Sequence, residues 1–220
     1  MVMKSALVLG FGVRAAAGAQ APARGSEAPA AKVLAAKVDA HYNHLRSLTA
    51  HFTERYRGMG IDRTETGTLT LSKPGRMRWA YDAPSGKIFV LDGKNAVSYT
   101  PGDSQALRTP AKQLDDLRSP LRFLLGHTEI AKELDGLTLT LVSGGYTLSG
   151  VPKGMAQSVQ SIGITVDAAG QILGMRIVQV DGAETSFVFT DIRENVATPD
   201  SEFEFTPPPG VTIINGVAPI

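Results

Sequence analysis

The sequence predicts a mainly β fold of the α+β kind, with about eleven antiparallel strands curled into a barrel-like form under an α-helical lid. Three observations predict it. Apolar and polar residues alternate over short stretches, as in Thr68-Leu69-Thr70-Leu71-Ser72 and Leu137-Thr138-Leu139-Thr140-Leu141. Turn signals such as Lys73-Pro74-Gly75, Asp92-Gly93, Gly144-Gly145 and Asp181-Gly182 separate those stretches. Helical spacing is confined to a few places. About eleven strands are too many for one flat, strongly twisted open sheet, so curling is expected.

At the N-terminus, Lys4 precedes the apolar stretch from Ala6 to Val13, and Ala17-Gly18-Ala19 offers a small-residue cleavage site. Residues 1–19 therefore read as a secretory signal peptide, since the apolar stretch is too short to span a bilayer. Residues 20–30 are rich in Ala, Gly and Pro and read as a linker, and residues 31–216 as one domain. Leu34, Val38, Tyr42 and Leu45 recur at helical spacing over residues 31–46. The period then changes to two at Leu48, Ala50 and Phe52, so one amphipathic helix runs into the first strand.

Met77, Trp79 and Tyr81 share one strand face, opposite Arg76 and Arg78. Ile88 to Leu91 and Val97 to Thr100 flank a hairpin at Asp92-Gly93. The centre differs: residues 112–125 read as helix, with Ser119 as cap and Pro120 at the first helical position, and a second helical piece spans 129–134. Strands return over 137–141, 146–148, 161–166, 172–180 and 186–192. Asp200, Glu202 and Glu204 alternate with Phe203 and Phe205 and read as one polar strand face.

Composition excludes several functions. Hydrophobic residues make up 43% and charged residues 20%, which fits a globular chain. There is no cysteine, so disulfides, thiolate catalysis and a lipid-modified N-terminal Cys are all excluded. The formal charge is +1; without Lys4 and Arg14 of the signal, 20 basic residues face 21 acidic ones, net −1. Nothing in that balance favours nucleic acid. No hydrolase, metalloprotease, nucleotide or dinucleotide motif occurs. His41 and His44 lie three apart on a helix and read as surface residues, and Asp115-Asp116 as a solvated pair.

Five stretches carry a resemblance. The segment from Gly67 to Pro84 (GTLTLSKPGRMRWAYDAP) joins a G-x-L-x-L strand, a basic residue with Pro, and an R-W-x-Y strand. Phe52-Thr53-Glu54, the Asp92-Gly93 hairpin, the helix Ser119-Pro120-Leu121-Arg122-Phe123-Leu124-Leu125, and Phe203-Glu204-Phe205-Thr206-Pro207-Pro208-Pro209-Gly210-Val211 agree in order. Together they resemble the LolA family of periplasmic outer-membrane lipoprotein carriers.

The resemblance implies an incomplete antiparallel barrel closed on one side by helices, with no enzymatic activity and no cofactor. It implies a periplasmic monomer that accepts lipoproteins from an inner-membrane lipoprotein-releasing ABC transporter and hands them to an outer-membrane lipoprotein receptor. The acyl cavity would be lined by Leu69 and Leu71, by Met77, Trp79 and Tyr81, and by Phe89 and Leu91. The lid would add Leu121, Phe123 and Leu124. Alternation alone favours an ordinary packed core; the resemblance reverses this for Met77, Trp79 and the lid, not for every leucine. Lys73, followed by Pro74, stands where family members carry an Arg that latches the lid; an ammonium lacks that planar fork. A lipid-binding sensor or regulatory module of the same fold is the alternative function.

Overall fold

A computed structural model of the chain describes residues 28–83, 85–116, 124 and 129–216. The signal peptide, the linker up to residue 27 and the lid residues Ser119, Pro120, Leu121, Phe123 and Leu125 lie outside them. The first helix, α1 (Ala28–His44), begins inside the stretch expected as linker. Its buried stripe is Ala31, Ala35, Val38 and Tyr42, continued by Leu45. Leu34 is only partly buried; the two alanines make the close approach because a single methyl group does not hold the helix off the sheet.

Two long strands follow, β1 (Ser47–Gly58) and β2 (Ile61–Ser72), paired along their full length. The meander continues through β3 (Arg76–Ala83), β4 (Ile88–Asp92), β5 (Asn95–Tyr99) and β6 (Gln105–Pro110). The short helices α2 (Ala111–Asp116) and α3 (Ile130–Glu133) lead into β7 (Leu134–Val142), β8 (Gly145–Pro152), β9 (Val159–Val166), β10 (Ile172–Gln179) and β11 (Glu184–Glu194). β11 returns antiparallel beside β1, and β12 (Thr212–Asn215) lies parallel to β6.

Among the described residues the result is one twelve-stranded sheet in the order β12-β6-β5-β4-β3-β2-β1-β11-β10-β9-β8-β7. β7 and β12 are its two edges and are not paired with each other, so the sheet is open. Two of the twelve strands, β6 and β12, escape the sequence pattern. Conversely, the alternating stretch at Asp200–Phe203, expected as strand, is a 3₁₀ turn.

The sheet curls towards one face. Neighbouring strands lie about 4.8 Å apart, so β3 and β11, three spacings apart, would stand roughly 14 Å from each other in a flat sheet. Yet the Trp79 ring on β3 and the Phe187 ring on β11 have centroids 5.4 Å apart. That inner face holds the core, where α1, Ile130 of α3 and residues of β1–β5 and β7–β11 form one buried cluster. Gly67 makes part of the curl possible: a Cβ there would sit 2.1 Å from the Ala80 carbonyl oxygen and 2.8 Å from the Phe52 ring.

The outer face carries a strap formed by the chain after β11. Asn195 donates its N–H to the Ser47 carbonyl at 2.7 Å. Arg76 reaches Asp200 at 2.5 Å, and Arg78 donates to the Glu202 carbonyl at 3.1 Å. Phe203 is buried between them, and Phe205 meets Tyr99 at 5.8 Å before β12 joins β6.

Candidate functional site

Period-two alternation puts the residues singled out from sequence on one surface. Leu69, Leu71, Met77, Trp79 and Leu91 are buried in the inner-face cluster, and Tyr81 and Phe89 pack against it half-buried. Leu124, the one described lid residue of the three named, is helical and buried in the same cluster. Leu121 and Phe123 lie outside the described residues.

Trp79 is the hub. Its ring meets Phe52 at 4.7 Å, Phe187 at 5.4 Å and Phe189 at 6.1 Å. Its indole N–H donates to the Met77 sulfur at 2.9 Å, so the polar end of the indole is satisfied within the apolar surface. Among the described residues, no buried side-chain nitrogen or oxygen lacks a partner. Around Trp79 the surface is apolar, and its one polar group, the indole N–H, is already satisfied.

Phe52, Phe187 and Phe189 belong to this site as fully as Trp79 does. The Phe187/Phe189 alternation is visible in the sequence, but its meeting with Trp79 depends on curvature between strands far apart in the chain.

Lys73 is tied to α1. Its ammonium donates to the backbone carbonyl of Tyr42, and its own N–H donates to the Arg46 carbonyl at 2.8 Å. Partial burial pulls the ammonium below the usual lysine range. Pro74 is exposed beside it. Tyr42 accepts the Ile172 N–H at its hydroxyl, 3.1 Å away, and burial pushes that hydroxyl's pKa up. His41 meets Glu194 at 2.7 Å, whereas His44 turns back to the Ala40 carbonyl, so the two histidines do not converge. Asp39, also on α1, accepts the Ile130 N–H at 3.1 Å and so fixes the start of α3. Burial, with Glu129 adding repulsion, raises this carboxyl to about 6 despite that hydrogen bond.

At the far end of the inner face the character changes. The Tyr81 ring lies 5.0 Å from Phe52, and its hydroxyl donates to Glu54 at 2.9 Å. Burial and the Glu54 charge push the phenol pKa up.

An open, curled sheet backed by helices, with an apolar inner face, defines a half-barrel binding protein. Comparison with known proteins makes this specific. The sequence model of the family "Outer membrane lipoprotein carrier protein LolA" matches residues 43–206, so the chain belongs to the LolA family. The outer-membrane lipoprotein carrier protein of Chromobacterium violaceum is 27% identical over 209 residues, covering 90% of this chain and 95% of that one. That of Pseudomonas fluorescens is 29% identical over 175 residues, covering 77% and 82%. Among solved structures, an uncharacterized conserved protein from Thermus thermophilus superposes with TM-score 0.54 at 12% identity, covering 85% of this chain and 99% of that one. A DUF1329 family protein from Desulfovibrio piger gives 0.50 at 14% identity, covering 80% and 96%. These two share the fold. The family consists of carriers, so the chain is a binding protein and not an enzyme. Among the described residues, no helix is long and apolar enough to cross a membrane.

Proposed function

We propose that this protein is a periplasmic carrier that holds lipoprotein acyl chains against the inner face of its sheet. In this reading residues 1–19 direct secretion and are removed. The monomer then takes lipoproteins from an inner-membrane releasing transporter and passes them to an outer-membrane receptor. The lining is Leu69, Leu71, Met77, Trp79, Tyr81, Phe89 and Leu91, with Leu121, Phe123 and Leu124 from the lid. Lys73 and Pro74 form the latch.

One observation carries the reading: an apolar surface gathered on Trp79 lies inside a sheet that has not closed. Each methylene withdrawn from water is worth about 0.8 kcal/mol, so a multiply acylated cargo carries an exposure cost on the order of tens of kcal/mol. A carrier must offset that cost and still release its load. An open sheet suits both, because the helical layer can move aside while the strand ladder stays intact. In the closed arrangement described here the same side chains fill the space against α1 and Leu124. Loading therefore exchanges protein–protein apolar contact for protein–acyl contact, which keeps net affinity moderate.

Purification from the periplasm followed by mass spectrometry of the bound material tests the proposal. Acylated lipoproteins should accompany the folded protein. Folded protein that arrives free of any acylated species, even when a lipoprotein is overproduced, contradicts it.

A further inference from the structure

Beside the aromatic cluster, whose Phe52 and Trp79 are buried, lies an open pocket of about 480 Å³ lined by Arg63, Thr64, Glu65, Ala83, Lys87 and Thr100. The transition is continuous. Phe52 packs on Trp79 and Tyr81, and the Lys87 ammonium sits 4.1 Å from the centroid of the Tyr81 ring. Lys87 then reaches the buried Glu65 carboxylate at 2.6 Å, and Arg63 approaches the same oxygen at 3.5 Å. Glu65 alternates in phase with Gly67, Leu69 and Leu71 along β2, so it belongs to the inner surface.

A charged pocket beside an apolar floor needs a reason. Glu65 is 4% exposed, and desolvating a carboxylate is costly unless the site is held together by partners. The groups lining the cavity carry two cations and one carboxylate, a net charge of +1. Glu54 lies on the aromatic side, occupied by the Tyr81 hydroxyl. Arg63 spends one contact on Glu65 and lays its guanidinium over Tyr56 at 5.9 Å; a guanidinium carries five N–H donors, more than these contacts use. Thr100 also belongs to the lining. The unspent capacity is that of a donor-rich, weakly cationic cup.

We infer that this cavity is a head-group subsite for an anionic, phosphate-bearing amphiphile whose tail lies on the Phe52–Trp79–Tyr81 surface. The inference rests on the acyl-carrier reading and adds a second cargo class to it: single-chain or diacyl lipids with a phosphate head. Arg63 and Lys87 would hold the phosphate oxygens, with Glu65 keeping the two cations in place.

Dodecyl phosphate, dodecanol and inorganic phosphate test it, each titrated against the fluorescence of the single tryptophan, Trp79. Dodecyl phosphate should bind about tenfold more tightly than dodecanol, the worth of one charge-assisted hydrogen bond at a half-open site. Arg63→Gln should erase that preference and leave dodecanol binding unchanged. The paired variant Glu65→Gln/Lys87→Gln should do the same without stranding a buried carboxylate. Equal binding of the two alkyl probes, or a preference that survives both variants, overturns the inference while leaving the acyl reading standing. Failure of both alkyl probes to bind removes the acyl reading itself. Inorganic phosphate should neither bind nor compete at similar concentration; if it does, the cavity is a free-phosphate site and the head-group assignment is wrong.

Discussion

Lys73, in the turn between β2 and β3, donates its ammonium to the backbone carbonyl of Tyr42 near the end of α1. The contact joins the sheet to the helix that covers its inner face. Removing the donor leaves a carbonyl in a half-buried position without its charged partner. Lys73→Leu should therefore cost about 1–3 kcal/mol in a denaturant titration. Lys73→Arg should retain most of that stability, and on the latch reading it should also slow acyl loading, because a planar fork holds its partners more tightly.

Asp39 sets a pH dependence of unusual sign. Its carboxyl is raised from 3.8 to about 6 by burial, so the folded state binds a proton that the unfolded state has already released. The contribution of this group is therefore most favourable below pH 4, declines as pH rises through 4 to 6, and is flat above. Asp39→Asn can still accept the Ile130 N–H and no longer titrates. The stability of the wild type minus that of Asp39→Asn, measured by denaturant titration from pH 4 to 7, should fall by about 1 kcal/mol, the value being reduced by solvent screening at a half-exposed group. A difference independent of pH would refute the assignment.

Two of the contacts that hold the strap on the outer face differ in worth. Asp200 is 86% exposed at its side chain, so the Arg76–Asp200 pair should contribute less than about 1 kcal/mol. Phe203 is 2% exposed between β3 and the strap. Phe203→Ala should cost about 3–5 kcal/mol and Asp200→Ala little, as read from paired thermal melts.

Gly67 is set by close packing. Gly67→Ala forces a methyl against the Ala80 carbonyl and the Phe52 ring, and should destabilise by about 1–3 kcal/mol. It should also shift the Trp79 emission, because Phe52 packs on that indole.

Much of the inner surface was legible because side chains alternate along a strand. Period and turn positions put Leu69 with Leu71, and Met77 with Trp79 and Tyr81, on shared strand faces, and the family resemblance joined them with Phe89 and Leu91 into one inner surface; at the Asp92-Gly93 hairpin Asp92 accepts the Lys94 and Asn95 N–H groups. Curvature was not legible, since the approach of Phe187 to Trp79 is decided by twist accumulated over intervening strands. β6 was hidden because its buried residues are few and small: Ala106 and Thr109 carry no hydrophobic signal comparable to that of Leu or Phe. β12 escaped because parallel pairing with β6 depends on the chain crossing the outer face first. The stretch Asp200–Phe203 alternates like a strand, yet one buried Phe203 seated under Arg76 is satisfied by a tight turn.

On the carrier reading, acyl chains lie on the surface around Trp79. Because that residue is the only tryptophan, quenching by an acylated peptide carrying a nitroxide on its fatty chain reads the contact directly. Quenching of Trp79 should be saturable, reversed by an unlabelled lipoprotein and weakened in Phe187→Ala. Emission that stays unquenched at saturating acyl peptide, with the protein folded, would contradict it.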